Sequence, residues 1–139
     1  MGQPERGDVN DLARYRLETA KSDLQSANIL IREKEYRGAN NRAYYAIYHA
    51  ISAAHALDGR SYKRHKDTLA NFNKDYVKTG IFPKEFGRKI ALAEEIRHAS
   101  DYDDFYLATK EKAEEQALTA KELIKQIETY CVNRMKDCF

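Results

Sequence analysis

The sequence predicts an all-α fold, an antiparallel up-and-down bundle of about five helices in a single domain. Apolar residues recur at alternating spacings of 3 and 4 in one segment after another, the period of a helix face. Only 6 glycines and 2 prolines punctuate the 139 residues, too few for the turns that a β-sandwich or barrel needs every ~8 to 12 residues. A chain that is 42% hydrophobic and 33% charged can bury a core and coat it with polar faces, so disorder is excluded. The length suits one domain, with its core over roughly residues 12–132. No apolar run approaches the ~18 residues of a membrane span, and the first residues lack the apolar stretch of a secretory signal. A cytoplasmic protein without a membrane partner is the expectation.

The elements follow in order. Helix one is predicted from Asp11 to about Lys34, with Leu17, Ala20, Leu24, Ala27 and Ile31 on one face and Asn10 or Asp8 as its N-cap. Gly38 marks the break before helix two, which runs from about Ala39 to Leu57. Tyr44, Tyr45, Ile47, Tyr48, Ile51 and many alanines make helix two apolar or aromatic around most of its circumference, which predicts a central position. Asp58-Gly59 ends it. Between Ser61 and Thr79, His65, Leu69, Phe72 and Tyr76 recur at spacings of 4, 3 and 4, predicting a shorter third helix. Pro83 is placed to open a fourth, which carries Phe86, Ile90, Ala93 and Ile96 and frays from Ser100 to Asp104, where Ser and Asp side chains compete for backbone groups. Thr109 opens the last helix, whose buried face is Ala113, Ala117, Ala120, Ile124, Ile127 and Cys131.

A net charge of +2 excludes global attraction to nucleic acid, but the charge is unevenly spread. Arg60 to Lys78 carries +4, whereas Glu94 to Glu115 carries −5. Solvated helix faces account for such runs, as does a basic strip offered to phosphate or to an acidic partner. Cys131 and Cys138 have no Cys or His at metal-ligand spacing, so neither a metal, nor another cofactor, nor a disulfide framework is expected.

Two clusters can carry chemistry. Arg42, Tyr45 and His49, separated by 3 and 4 residues, project from one face of helix two. Burying a cation, a phenol and an imidazole is costly unless each has a partner, a condition that a structural network and a binding site both meet. The second cluster is Arg97-His98-Ala99-Ser100-Asp101-Tyr102, in which Arg97 and Asp101 have the spacing of an intrahelical ion pair. Exposed, that pair contributes only ~0.3 to 0.5 kcal/mol.

The string Arg42-Ala43-Tyr44-Tyr45-Ala46-Ile47-Tyr48-His49-Ala50, then Gly59, His65, Tyr76-Val77-Lys78-Thr79-Gly80 and finally Arg97 through Asp101-Tyr102, resembles the HEPN family, the higher eukaryotes and prokaryotes nucleotide-binding domain. The resemblance implies a helical bundle, usually a homodimer, often encoded beside a small nucleotidyltransferase as a toxin–antitoxin or defence pair. Many relatives are metal-independent ribonucleases with Arg, four to six residues, then His late in the bundle, where two copies meet. This sequence has Tyr102 where the shortest form of that motif puts His, and His98 lies about 100° around the helix from Arg97. A phenol with a pKa near ~10 is a poor general base at neutral pH, whereas an imidazole near ~6.5 is a good one. Arg42 and His49 also span a six-residue gap, but on helix two.

The resemblance therefore implies a nucleotide or single-stranded RNA surface made by Arg42, Tyr45, His49, Arg97, Asp101 and Tyr102, with weak or absent ribonuclease activity. Under the alternative of an endoribonuclease toxin, Arg97 stabilises the phosphate and His49 or His98 moves the proton. A third reading is a helical protein-interaction subunit. A homodimer is expected, with Tyr44, Tyr48, Phe105 and Tyr106 near its interface.

Overall fold

The structure, a computed structural model, describes residues 6–136; Cys138 lies outside them. The α-helices are α1 Arg6–Arg32, α2 Tyr36–Leu57, α3 His65–Phe72, α4 Glu85–Tyr102 and α5 Lys110–Lys136, and a π turn, Asn73–Val77, continues α3. No strand occurs among the described residues. As its composition predicts, α2 is central, packed against α1, α3, α4 and α5. Ala43, Ala46, Ala50, Ala53 and Ala54 are fully buried along it, and their small side chains let the neighbouring helices approach closely. The apolar face predicted for α5 is buried from Ala113 to Cys131. Among the described residues, no helix is long and apolar enough to cross a membrane.

Four boundaries differ from the sequence expectation. Helix α1 starts at Arg6, so Asp8 and Asn10 sit inside it and do not cap it. The break before α2 falls at Lys34, whose φ of 62° is left-handed. Glu35 N–H donates to the Leu30 carbonyl at 2.8 Å and Lys34 N–H to the Ile31 carbonyl at 3.0 Å, a Schellman ending built without glycine. Gly38 is instead helical, and a Cβ there would stand 3.3 Å from Leu30 Cδ1, so its lack of a side chain serves the close approach of α1 and α2. Helix α4 begins at Glu85, two residues beyond Pro83, and stays helical through Ser100 and Asp101. Fraying is prevented because the Ser100 hydroxyl accepts from Asn40 at 3.1 Å, and its carbonyl accepts from Arg37 at 2.8 Å. The Thr109 hydroxyl caps α5 by accepting from Lys112 N–H at 3.2 Å.

Gly59 does what its position predicts. At φ 74° it completes a Schellman ending, with Arg60 N–H donating to the His55 carbonyl at 2.8 Å. A Cβ there would meet nothing within 4 Å, so Gly59→Ala isolates the backbone cost. A loss of about 1 kcal/mol in urea unfolding is expected.

The buried end of α2 also holds a titratable group. His55 is 1% exposed, and neither ring nitrogen has a hydrogen-bond partner. Burial, reinforced by the positive charge of Arg60, pushes its pKa down to about 4. The unfolded chain then binds a proton between about pH 6.5 and 4 that the folded chain refuses. Stability is full above this window and falls as pH drops through it, by on the order of 2 kcal/mol. Unfolding measured at both ends of the window should show a smaller acid loss in His55→Phe than in the parent.

Of the four residues expected near a dimer interface, Tyr44 is only 1% exposed within the single chain. Tyr48 packs partly buried against the core, and Tyr106 lies beneath Arg37. Phe105 is 98% exposed.

Candidate functional site

Both sequence clusters meet on one surface where α1, α2, the start of α3 and the end of α4 converge. On α2, the Arg42 guanidinium lies over the Tyr45 ring, 5.0 Å from its centroid. Arg42 Nη1 donates to Asp23 Oδ1 at 3.2 Å, and His49 Nδ1 stands 2.7 Å from Asp23 Oδ2. Asp23 of α1 is thus the partner that offsets the cost of burying this polar stripe, and it is itself buried. The signal for it is an acid beside the apolar stripe of α1, between Ala20 and Ala27.

On α4, Arg97 has a side chain only 13% exposed, and its guanidinium lies 4.6 Å from the Tyr44 ring centroid. Nη1 is 3.6 Å from Asp101 Oδ2, the predicted ion pair, but outside hydrogen-bond range, and Nε is buried without a partner. Asp101 is held instead by Asn41, which donates to Oδ2 at 2.9 Å, while Arg42 donates to Asn41 Oδ1 from Nε and Nη2 at 2.9 and 2.8 Å. One chain of polar contacts therefore runs from α4 through α2 to α1. Arg37 clamps the segment after α4 by donating to the carbonyls of Ser100, Asp103 and Tyr106.

An imidazole absent from the predicted site completes the surface. His65, the first residue of α3, lies 4.1 Å ring to ring from Tyr48 and 5.7 Å from Tyr45. Its Nδ1 is 3.4 Å from the Tyr44 hydroxyl, so Tyr44 stands between Arg97 and His65. Burial first, then the neighbouring Arg97 and His49, lower the pKa of His65, which favours the neutral ring. Burial pushes the Tyr44 phenol up to about 12, against the pull of Arg97.

The structure does not bring His98 and Tyr102 into this cluster. Both are exposed, one turn apart, with their rings in contact at 5.0 Å between centroids. Their ring contact is with each other, on the exposed side of α4, while Arg97 faces Tyr44. The basic strip is exposed at Lys63, Arg64, Lys66, Lys74 and Lys78, whereas Arg60 is paired with Asp75. No group of His, Cys, Asp and Glu among the described residues could hold a metal ion.

The surface has two guanidinium groups stacked on phenols with imidazoles beside them, which suits phosphate and base contacts. Known proteins share this frame. The chain is 31% identical to a UPF0332 protein of Thermotoga maritima over 78% of its length and 83% of that protein's. It is likewise 31% identical to "Putative toxin MJ0605" of Methanocaldococcus jannaschii, over 79% of this chain and 78% of that one. The crystal structure of TT1696 from Thermus thermophilus shares the fold, with a TM-score of 0.72 over 84% of this chain and 96% of that chain at 22% identity. The sequence model of the HEPN domain matches residues 13–130, which include the Asp23–Arg42–His49 stripe, His65 and the Arg97 cluster. The chain belongs to the HEPN domain family.

Proposed function

We propose that this chain binds single-stranded RNA or a nucleotide on the surface of Arg97, Arg42, Tyr45, His49 and His65, and that it is the toxin-type member of a two-component toxin–antitoxin or defence pair. The observation that carries this reading is Arg97: a cation on a phenol, 3.6 Å from its nearest carboxylate, with donors that Asp101 does not consume. Such a guanidinium is pre-organised for phosphate, and the neighbouring rings offer stacking faces for bases. The toxin name carried by an archaeal relative supports the second half of the reading. A small nucleotidyltransferase is the partner we propose, and the cytoplasm the compartment. A homodimer fits the exposed Tyr102, Phe105 and Leu107 at and after the end of α4, apolar and aromatic side chains that a second copy would cover. Fluorescence anisotropy with a short labelled single-stranded RNA tests the binding. Saturable, salt-sensitive binding in the micromolar range is the expected result, and no binding there overturns the reading.

The position of His65 favours a second reading, cleavage. A neutral imidazole sharing Tyr44 with Arg97 can take the proton from a ribose 2′-hydroxyl. The 2′-oxygen then attacks phosphorus, and the 5′-oxygen leaves with a proton from solvent, giving a 2′,3′-cyclic phosphate and a 5′-hydroxyl. Metal-free cleavage that His65→Ala abolishes and His98→Ala spares supports this reading. Intact RNA after prolonged incubation leaves binding alone.

A further inference from the structure

Beside the Arg97 surface lies a cavity of about 340 Å³, between α1, the C-terminal half of α2 and the segment leading into α3. Tyr48 and His49 belong to both, so they form the wall between the surface and the cavity. We propose that this cavity is a base pocket that takes one guanine of a single-stranded RNA lying across Arg97 and Arg42. The proposal rests on the RNA-binding reading of that surface and adds a base preference to it.

Four observations carry it. The volume is at the low end of small-ligand sites, enough for a single nucleoside-sized group. Arg16 lines the cavity half-buried, with no carboxylate at ion-pair distance among the described residues. Its Nη1 donates to the Ser52 carbonyl at 2.9 Å, which fixes the plane of the guanidinium and leaves its other donors for a ligand. A fixed guanidinium fork matches O6 and N7 of guanine. Adenine is read by an Asn or Gln amide and cytosine by a carboxylate, and the cavity walls contain neither. The third observation is His55, a buried imidazole in the cavity wall whose nitrogens lack any partner. Unpaired polar groups this deep are rare, and since both nitrogens are themselves covered, a base that enters pairs with one only as the wall around the ring gives way. The fourth is the pair of rings, Tyr48 and Tyr62, at the walls, which offer stacking faces for a planar base.

The test compares two labelled single-stranded RNAs of equal length, one adenine-rich and one differing by a single central guanine, against the full chain and Arg16→Lys. The lysine keeps the charge and loses the fork. The parent is expected to bind the guanine-containing RNA about tenfold more tightly. Arg16→Lys should lose that preference while still binding the adenine-rich RNA, with an unchanged melting temperature showing that the fold survives. Equal binding of both RNAs by the parent, or an equal loss on both in Arg16→Lys, overturns the pocket and leaves the Arg97 surface standing. No binding of either RNA overturns both.

Discussion

Arg97→Ala is expected to weaken single-stranded RNA binding by about tenfold to a hundredfold, because a charge-assisted hydrogen bond to phosphate contributes roughly 1.5 to 3 kcal/mol. The same change should lower stability more than the sequence alone implies. Arg97 is 13% exposed and its guanidinium covers the Tyr44 ring, so alanine removes packing and a cation–π contact along with the ion pair. A loss of about 1 to 2 kcal/mol follows, against ~0.5 kcal/mol for an exposed pair. Arg97→Lys separates the two effects, since it keeps a cation over Tyr44 but not the flat fork. It should recover most of the stability and only part of the affinity. Unchanged affinity in Arg97→Ala beside a large fall in melting temperature would reduce Arg97 to a packing residue.

Phe72→Ala should cost about 3 to 5 kcal/mol, the largest loss expected from one side chain in this core. Phe72 is 0% exposed, and its ring stacks on Tyr76 at 5.1 Å and on Phe82 at 5.5 Å. It thereby ties α3, its π turn and the segment before α4 to the His55 end of α2. Alanine leaves a cavity that rigid rings cannot collapse to fill. For a chain this size the melting temperature should fall by roughly 10 °C or more. A loss below about 1 kcal/mol in urea unfolding would mean that the aromatic stack repacks freely, contrary to the close-packed core described here.

The parts of the fold legible in the sequence are those decided by local periodicity. Helices α2 and α5 carry long apolar faces, and Gly59 ends α2 as its residue type indicates. The boundaries that were not legible depend on residues far away in sequence. Ser100 and Asp101 read as a fraying end until Asn40 and Asn41, some 60 positions earlier, take their side chains. Lys34 adopts a left-handed turn that residue type alone assigns to Gly38. The site divides in the same way. Arg42, Tyr45 and His49 share a face by spacing, and Arg97 pairs with Asp101 by spacing. Asp23 and His65 join them only through tertiary packing. His98 and Tyr102 are one turn apart on α4, so their rings meet.

Where RNA sits on the protein is the most direct test of the central claim. A single-stranded RNA carrying photoreactive uridines can be cross-linked to the full chain and the attachment points read by mass spectrometry. Cross-links should concentrate on Tyr45, Tyr48, His49 and His65, the rings that surround Arg42 and Arg97, and should fade in Arg97→Ala. Cross-links confined to the basic strip from Lys63 to Lys78, unchanged by that substitution, would contradict the account and move the RNA to the outer face of α3.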